Sequence, residues 1–170
     1  KVVEAVRAVA SDVRHGGPVR HAAEGRARAR ALRDECIDWL PGLAAGLLPA
    51  MDGMTRLWLK RSHSPYAAEI HAIAAELDFS GIWFLNGCYQ WGCTALAREQ
   101  GDMPWLARTL DWPFPGLGRH VEVARMRGNA GEFDSVTWPG YAGVLTASAR
   151  GRFAAGINQA PLWRRTRQPW

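Results

Sequence analysis

The chain lacks any arrangement of cysteines that would staple it or hold a metal. It has three, Cys36, Cys88 and Cys93, and an odd count makes a poor disulfide framework. No CxxC occurs, and the five histidines show no paired-ligand spacing, so neither a metal nor any other cofactor is expected. Three thiols in a globular chain fit a reducing compartment with one reactive cysteine. No secretory signal is visible, which favours the cytoplasm. The apolar runs are far too short to span a bilayer. There is no internal repeat and no long low-complexity tract. The chain starts with Lys1 rather than Met and stops at Trp170 within a Pro- and Arg-containing segment. We read it as a truncated piece of a longer polypeptide, whose missing start could have carried a signal.

Acidic charge is also in short supply: 16 acids face 21 bases, a formal net charge of +5. The bases gather near the start, at Arg7, Arg14, Arg20, Arg26, Arg28, Arg30 and Arg33. No aromatic residue interleaves with them before Trp39, and single-strand binding normally needs aromatic side chains for base stacking. A solvated, Ala/Arg-rich helix face is therefore expected, with no nucleic-acid partner. A peripheral contact with anionic lipid stays open as the alternative.

What is present describes one globular domain. The 170 residues are 48% hydrophobic and 22% charged, enough for a real core and wrong for disorder. The chain reads as two halves. Residues 1 to about 90 look mainly helical. Arg20 to Asp38 is rich in helix formers, and Pro41, Gly42, Gly46 and Pro49 then punctuate the chain. Ser64 can cap a clearer helix, with Pro65 in its first turn and Glu69 near its positive end. Ile70, Ile73, Ala74 and Leu77 form its apolar stripe. Asp78 or Ser80 could cap a short helix through Ile82, Phe84 and Leu85, a run that reads equally as a strand. From Cys93 the pattern changes to strands and turns. Cys93 to Arg98, a connection over Glu99–Asp102, and Trp105 to Leu110 make a hairpin. His120 to Met126 alternates in part, Arg127 to Gly131 is a loop, and Val144 to Asn158 holds another hairpin. Helices first and antiparallel hairpins later predict an α+β chain.

The chemistry gathers around Cys93. A thiol is the best nucleophile among side chains, but only as thiolate. No histidine is close in sequence, although His71 or His120 could approach in space. A lone cysteine is more often a small apolar core residue. The return strand carries Arg108, and Asp111 lies just past it, three residues on. If Arg108 points to the face that carries Cys93, its guanidinium can stabilise a thiolate. Read blandly, the two are a surface pair worth less than about 1 kcal/mol.

Cys93-Thr94-Ala95-Leu96-Ala97 followed by Ala107-Arg108-Thr109-Leu110-Asp111-Trp112 resembles the N-terminal-nucleophile (Ntn) hydrolases of the acid ceramidase and N-acylethanolamine acid amidase family. It is also similar to the choloylglycine hydrolases and penicillin V acylases. Tyr66–Ile70, Leu85–Tyr89, Pro139–Gly143 and Gly156–Pro161 continue the resemblance, which covers about residues 60 to 161. It implies an αββα four-layer sandwich. Residues 1–92 would be a helical α-segment of the precursor, and 93–170 the first part of the catalytic β-segment, the two remaining partners after cleavage between Gly92 and Cys93. It implies Cys93 as nucleophile, Arg108 and Asp111 as its supporting pair, and Asn158 in the oxyanion hole. Ceramidase-type members tend to carry an acid where Asn158 stands, so the chain leans toward the acylases.

The physical chemistry of such a site is self-consistent. Glycine at position 92 tolerates strained backbone and leaves its carbonyl open to attack. A freed α-amino group, with a pKa of about 7.7–8.0, is a good general base near neutral pH. One residue then supplies base and nucleophile. The expected substrate is a small acyl-amide, with a fatty or aromatic acyl group. Nine tryptophans could supply an apolar pocket, and Trp112, Phe114 and Tyr141 are the candidates for it. A Cys/His thiol hydrolase of another fold and an inactive lipid-binding relative are the alternatives.

Overall fold

The computed structural model describes residues 9–39, 42, 44–87, 92–101, 103–111 and 116–157. Helices α1 (Gly17–Glu24) and α2 (Arg26–Trp39) replace the single helix expected over Arg20–Asp38. The break falls at Gly25, which has no room for a side chain: a Cβ there would lie 2.3 Å from Cγ of Pro139. Helix α3 (Ala44–Arg61) corrects the expectation of a punctuated loop, since it runs through Gly46 and Pro49. An interior proline costs about 3 kcal/mol. Here it faces solvent, while Leu48 and Leu59 of the same helix are buried, each contributing about 1.5–3 kcal/mol.

Helix α4 (Ala67–Leu77) forms where its apolar stripe predicts. Ile70, Ile73 and Leu77 are fully buried, and Glu69 lies in the first turn. Ser64 closes the preceding turn, accepting from the amide of Tyr66 at 3.4 Å through Oγ. The ambiguous run that follows is helix α5 (Ile82–Gly87). Its N-terminus is capped neither by Asp78 nor by Ser80. Asp52 of α3 accepts from the amides of Gly81 (2.6 Å) and Phe84 (2.8 Å), so the cap comes from another helix.

Strand β1 (Val9–Asp12) lies in the half read as helical. Strands β2 (Gly92–Gln100) and β3 (Met103–Asp111) form the expected hairpin, each longer than predicted, turning at Gly101 with φ 62°. A short 3-10 turn (Leu117–His120) leads into β4 (Glu122–Gly128) and β5 (Gly131–Thr137). The last hairpin is β6 (Thr146–Ala149) and β7 (Phe153–Gly156). One sheet has the order β1-β4-β5-β6-β7, and β2-β3 is a separate pair. The pairing of β1 with β4 is parallel, so the larger sheet is mixed where antiparallel sheets were expected. The chain is α+β, and its first half contributes a strand to the sheet of its second half.

The helical core joins Ala22, Ala29, Leu59, Ile70, Ile73, Leu77 and Ile82. A second cluster, Leu32, Trp138, Tyr141 and Leu145, lies between α2 and the Trp138–Leu145 segment. Asn86, also buried, ties α5 to that segment by donating to Gly140 O (2.9 Å) and accepting from the Ala142 amide (2.7 Å). Helices and sheet are further joined by a buried carboxylate. Glu122 is 1% exposed and accepts from His21 Nε2 (3.0 Å), Ser11 Oγ (3.1 Å) and the Arg28 guanidinium. Burial raises its pKa, the hydrogen bonds from His21 and Arg28 lower it by more, and the carboxyl ends below its ordinary range. The early arginines are thus not a bare cationic face. Arg14 pairs with Asp12 and Glu132, Arg20 with Glu24, Arg26 with Glu76, and Arg33 with Asp34.

Candidate active site at Cys93

The β2–β3 register decides what surrounds Cys93. Cys93 stands opposite Leu110, Ala95 opposite Arg108, and Gly92 opposite Asp111. Strand side chains alternate between faces, so Cys93, Ala95, Arg108 and Leu110 share one face of the hairpin. Arg108 sits one diagonal step from Cys93, and its Nη2 donates to Cys93 Sγ at 2.9 Å. The sequence left open which way Arg108 points; it points toward the thiol.

The guanidinium is held from the neighbouring sheet. Nη1 donates to Leu145 O (3.1 Å) and Thr146 Oγ1 (2.5 Å), and Nη2 also donates to the carbonyl of Ile157. Gly156 gives the side chain room, since an added Cβ there would lie a tight 3.1 Å from Arg108 Cδ. Thr146, Leu145 and Ile157 were not anticipated. They are 37 to 49 residues from Arg108 in sequence, and no local pattern marks a residue as another residue's support. A cation fixed by carbonyl and hydroxyl acceptors cannot swing away from the sulfur, and charge-assisted hydrogen bonds of this kind are the stronger ones.

Asp111 is exposed at the end of β3, in register with Gly92, the residue preceding the thiol. By the same alternation its side chain leaves from the face of the hairpin opposite to Cys93 and Arg108. Cys93 itself is half-buried and packs against the cluster of Leu32, Trp138, Tyr141 and Leu145. Tyr141, expected at a substrate pocket, is only 6% exposed and packs against Trp138 with the rings tilted by 52° and their centroids 5.0 Å apart. It belongs to the floor beneath the cysteine. Trp112, Phe114 and Asn158 lie outside the described residues, as do Cys88 and Trp91.

The two histidines considered as bases have other surroundings. His120 Nε2 is 3.1 Å from Glu35 Oε1, and His71 is exposed on α4 beside the Trp83 ring.

A groove of about 1020 Å³ opens farther along the same hairpin. It runs between the outer half of β2–β3 and the β6–β7 turn, and its apolar wall includes Leu106, Trp105 and Phe153. Arg98, Arg150 and Arg152 line it as well. Leu106 shares the face of Arg108, four residues from Leu110, so the groove begins about 13 Å along the strand from Cys93.

No family model matches the chain, and no curated protein matches it.

Proposed function

We propose that this chain carries the nucleophile of a self-processing cysteine amidase of the Ntn-hydrolase type, built on an αββα sandwich. The observation that carries this reading is the fixed guanidinium of Arg108 on the thiol of Cys93, with Asp111 in register with Gly92. The resemblance of the segments around Cys93, Arg108 and Asp111 to ceramidase-type and choloylglycine-type enzymes supports the same reading.

In the precursor, Sγ of Cys93 attacks the carbonyl carbon of Gly92. A thioester forms as the Gly92–Cys93 C–N bond breaks, and the thiol proton passes to the released nitrogen. Water then cleaves the thioester, leaving a carboxylate on Gly92 and a free amine on Cys93. Residues 1–92 and 93–170 become the two segments of the mature site. The new amine acts as general base, and Asp111, which pairs with Gly92 across the hairpin, is proposed to stabilise its ammonium form. In turnover the same sulfur attacks an acyl-amide substrate, the amine leaves with the proton, and water releases the acid. Arg108 holds the sulfur through the hydrogen bond from its Nη2. Asn158 is the proposed oxyanion donor, and such a donor is worth about 2.7–4 kcal/mol of barrier.

The apolar wall of the groove supports a fatty or aromatic acyl group as substrate. Trp112, Phe114 and Tyr141 remain proposed contributors to its binding, Tyr141 from beneath the cysteine. The site as proposed uses no metal or other cofactor.

The test is the intact mass and N-terminal sequence of the protein and of its Cys93→Ala variant. Fragments meeting at Gly92/Cys93 in the parent alone are expected. A parent that stays whole after long incubation at acidic and neutral pH would remove the free-amine mechanism.

A further inference from the structure

Asn86 sits next to last in α5 and is 3% exposed. Asparagine is a poor helix residue, because its amide competes with the backbone for hydrogen bonds. Here Nδ2 donates to Ile82 O (2.9 Å), one turn back, and to Gly140 O (2.9 Å), while Oδ1 accepts from the Ala142 amide (2.7 Å). Two acceptors and one donor face the side chain, a set that a carboxamide satisfies and neither a carboxylate nor an apolar group does. Gly140 and Ala142 are themselves buried, so losing the amide strands a buried carbonyl and a buried N–H.

Gly140 and Ala142 flank Tyr141. Asn86 thus grips the backbone on both sides of Tyr141, as a neighbouring strand would. The gripped turn has little slack. Gly140 takes φ 95°, and an added Cβ there would lie 3.1 Å from Leu77 Cδ1. The Tyr141 amide donates to Trp138 O at 3.3 Å. Tyr141 and Trp138 belong to the cluster on which Cys93 packs, and Leu85, beside Asn86, packs on it too. The grip therefore reaches the thiol through one layer of side chains. It comes from the other side of the Gly92–Cys93 bond, six residues before Gly92.

We infer that Asn86 is a positioning residue for Cys93: by fixing the Tyr141 turn it holds the floor that keeps Sγ on the Arg108 guanidinium. Its effect on self-cleavage rests on the proposed function; its effect on the thiol does not.

The experiment uses Asn86→Asp, a change of nearly the same shape. As a carboxylate the new group keeps the Ala142 bond but sets oxygen against oxygen at Ile82 and Gly140. Protonated, it donates to Gly140 O and restores the grip. Burial raises the pKa of such a carboxyl, so the grip is expected to be lost at about pH 8 and regained at about pH 5. Self-cleavage is followed by intact mass, and alkylation of Cys93 by N-ethylmaleimide in peptides spanning Gly92 and Cys93. Each is taken as a variant-to-parent ratio, so that the pH dependence of the chemistry itself cancels. At the higher pH, cleavage should be about ten- to a hundredfold slower than in the parent, and alkylation about fivefold faster as the floor loosens. At the lower pH both ratios should come within about twofold of unity. Loss of packing alone predicts ratios that do not move with pH, as expected for Asp52→Ala, which loosens α5 and leaves the Tyr141 turn gripped. Asn86→Ser adds no charge and covers the case in which Asn86→Asp does not fold at the higher pH. It should slow cleavage about tenfold and speed alkylation about threefold at both pH values. Parental rates in both variants, or an Asn86→Asp ratio equal at the two pH values, would overturn the inference. A parent that stays uncut removes the self-cleavage reading, and the alkylation ratios then decide this one alone.

Discussion

Replacing Glu122 by Gln tests whether the helical half is clamped to the sheet by one buried carboxylate. Glu122 accepts from Ser11 Oγ and His21 Nε2 at Oε2, and from Arg28 at both oxygens. A glutamine oxygen can keep the Ser11 and His21 bonds. Its amide nitrogen then meets Arg28 donor to donor, and Arg28 keeps a cation with no counter-charge. Loss of the charge-assisted bond costs about 1.5–3 kcal/mol. Removing one member of a fully buried pair costs about 3–5 kcal/mol. The Arg28 side chain is 39% exposed, so water screens part of the loss, and the lower end of that range, about 3 kcal/mol, is expected. Domains of this size lose about 2–4 °C of Tm per kcal/mol, giving a fall of about 6–12 °C. Urea unfolding followed by far-UV circular dichroism should show a lower midpoint with an unchanged slope. Glu132→Gln is the control: it pairs with Arg14 and Arg127 but is 43% exposed, and should leave the unfolding midpoint nearly unchanged because water screens its ion pairs. Equal losses in the two variants would refute the reasoning. The pH dependence has a definite sign. Because Glu122 is held below its ordinary value of 4.5, its contribution is complete above that pH and is lost as pH falls through the folded-state value. The gap between parent and Glu122→Gln should therefore narrow in acid.

Four further outcomes follow from contacts described above. Arg108→Gln removes a charge-assisted bond to Cys93 worth about 1.5–3 kcal/mol, so self-cleavage measured by intact mass should slow about ten- to a hundredfold. Thr146→Val, which loosens Arg108 without removing it, should slow cleavage less. Asp52→Ala takes the cap from α5 and should lower stability by about 0.5–2 kcal/mol in urea unfolding. Gly25→Ala drives a methyl into Pro139 and should cost about 1–3 kcal/mol. A Gly25→Ala variant as stable as the parent would show that the α1–α2 break is not set by that packing.

The sequence by itself determined the elements whose causes are local. The stripe of Ile70, Ile73 and Leu77 makes α4 because helical period and burial coincide there. The β2–β3 hairpin follows from two strand-forming runs around a Gly-containing turn, and with it came the nearness of Arg108 to Cys93, since alternation leaves only two faces to choose from. Tertiary structure decided the rest. Strand β1 was not legible because parallel pairing with β4 joins residues more than a hundred apart, and four residues carry no period. Helix α3 is not legible locally because Gly46 and Pro49 are breakers by propensity, and only the burial of Leu48 and Leu59 outweighs them. The cap on α5 was sought among its own neighbours and is supplied by Asp52 of another helix. Glu122 and Thr146 were invisible for the same reason: their importance lies in what the fold brings to them, and a hydrogen bond across the chain leaves no local pattern.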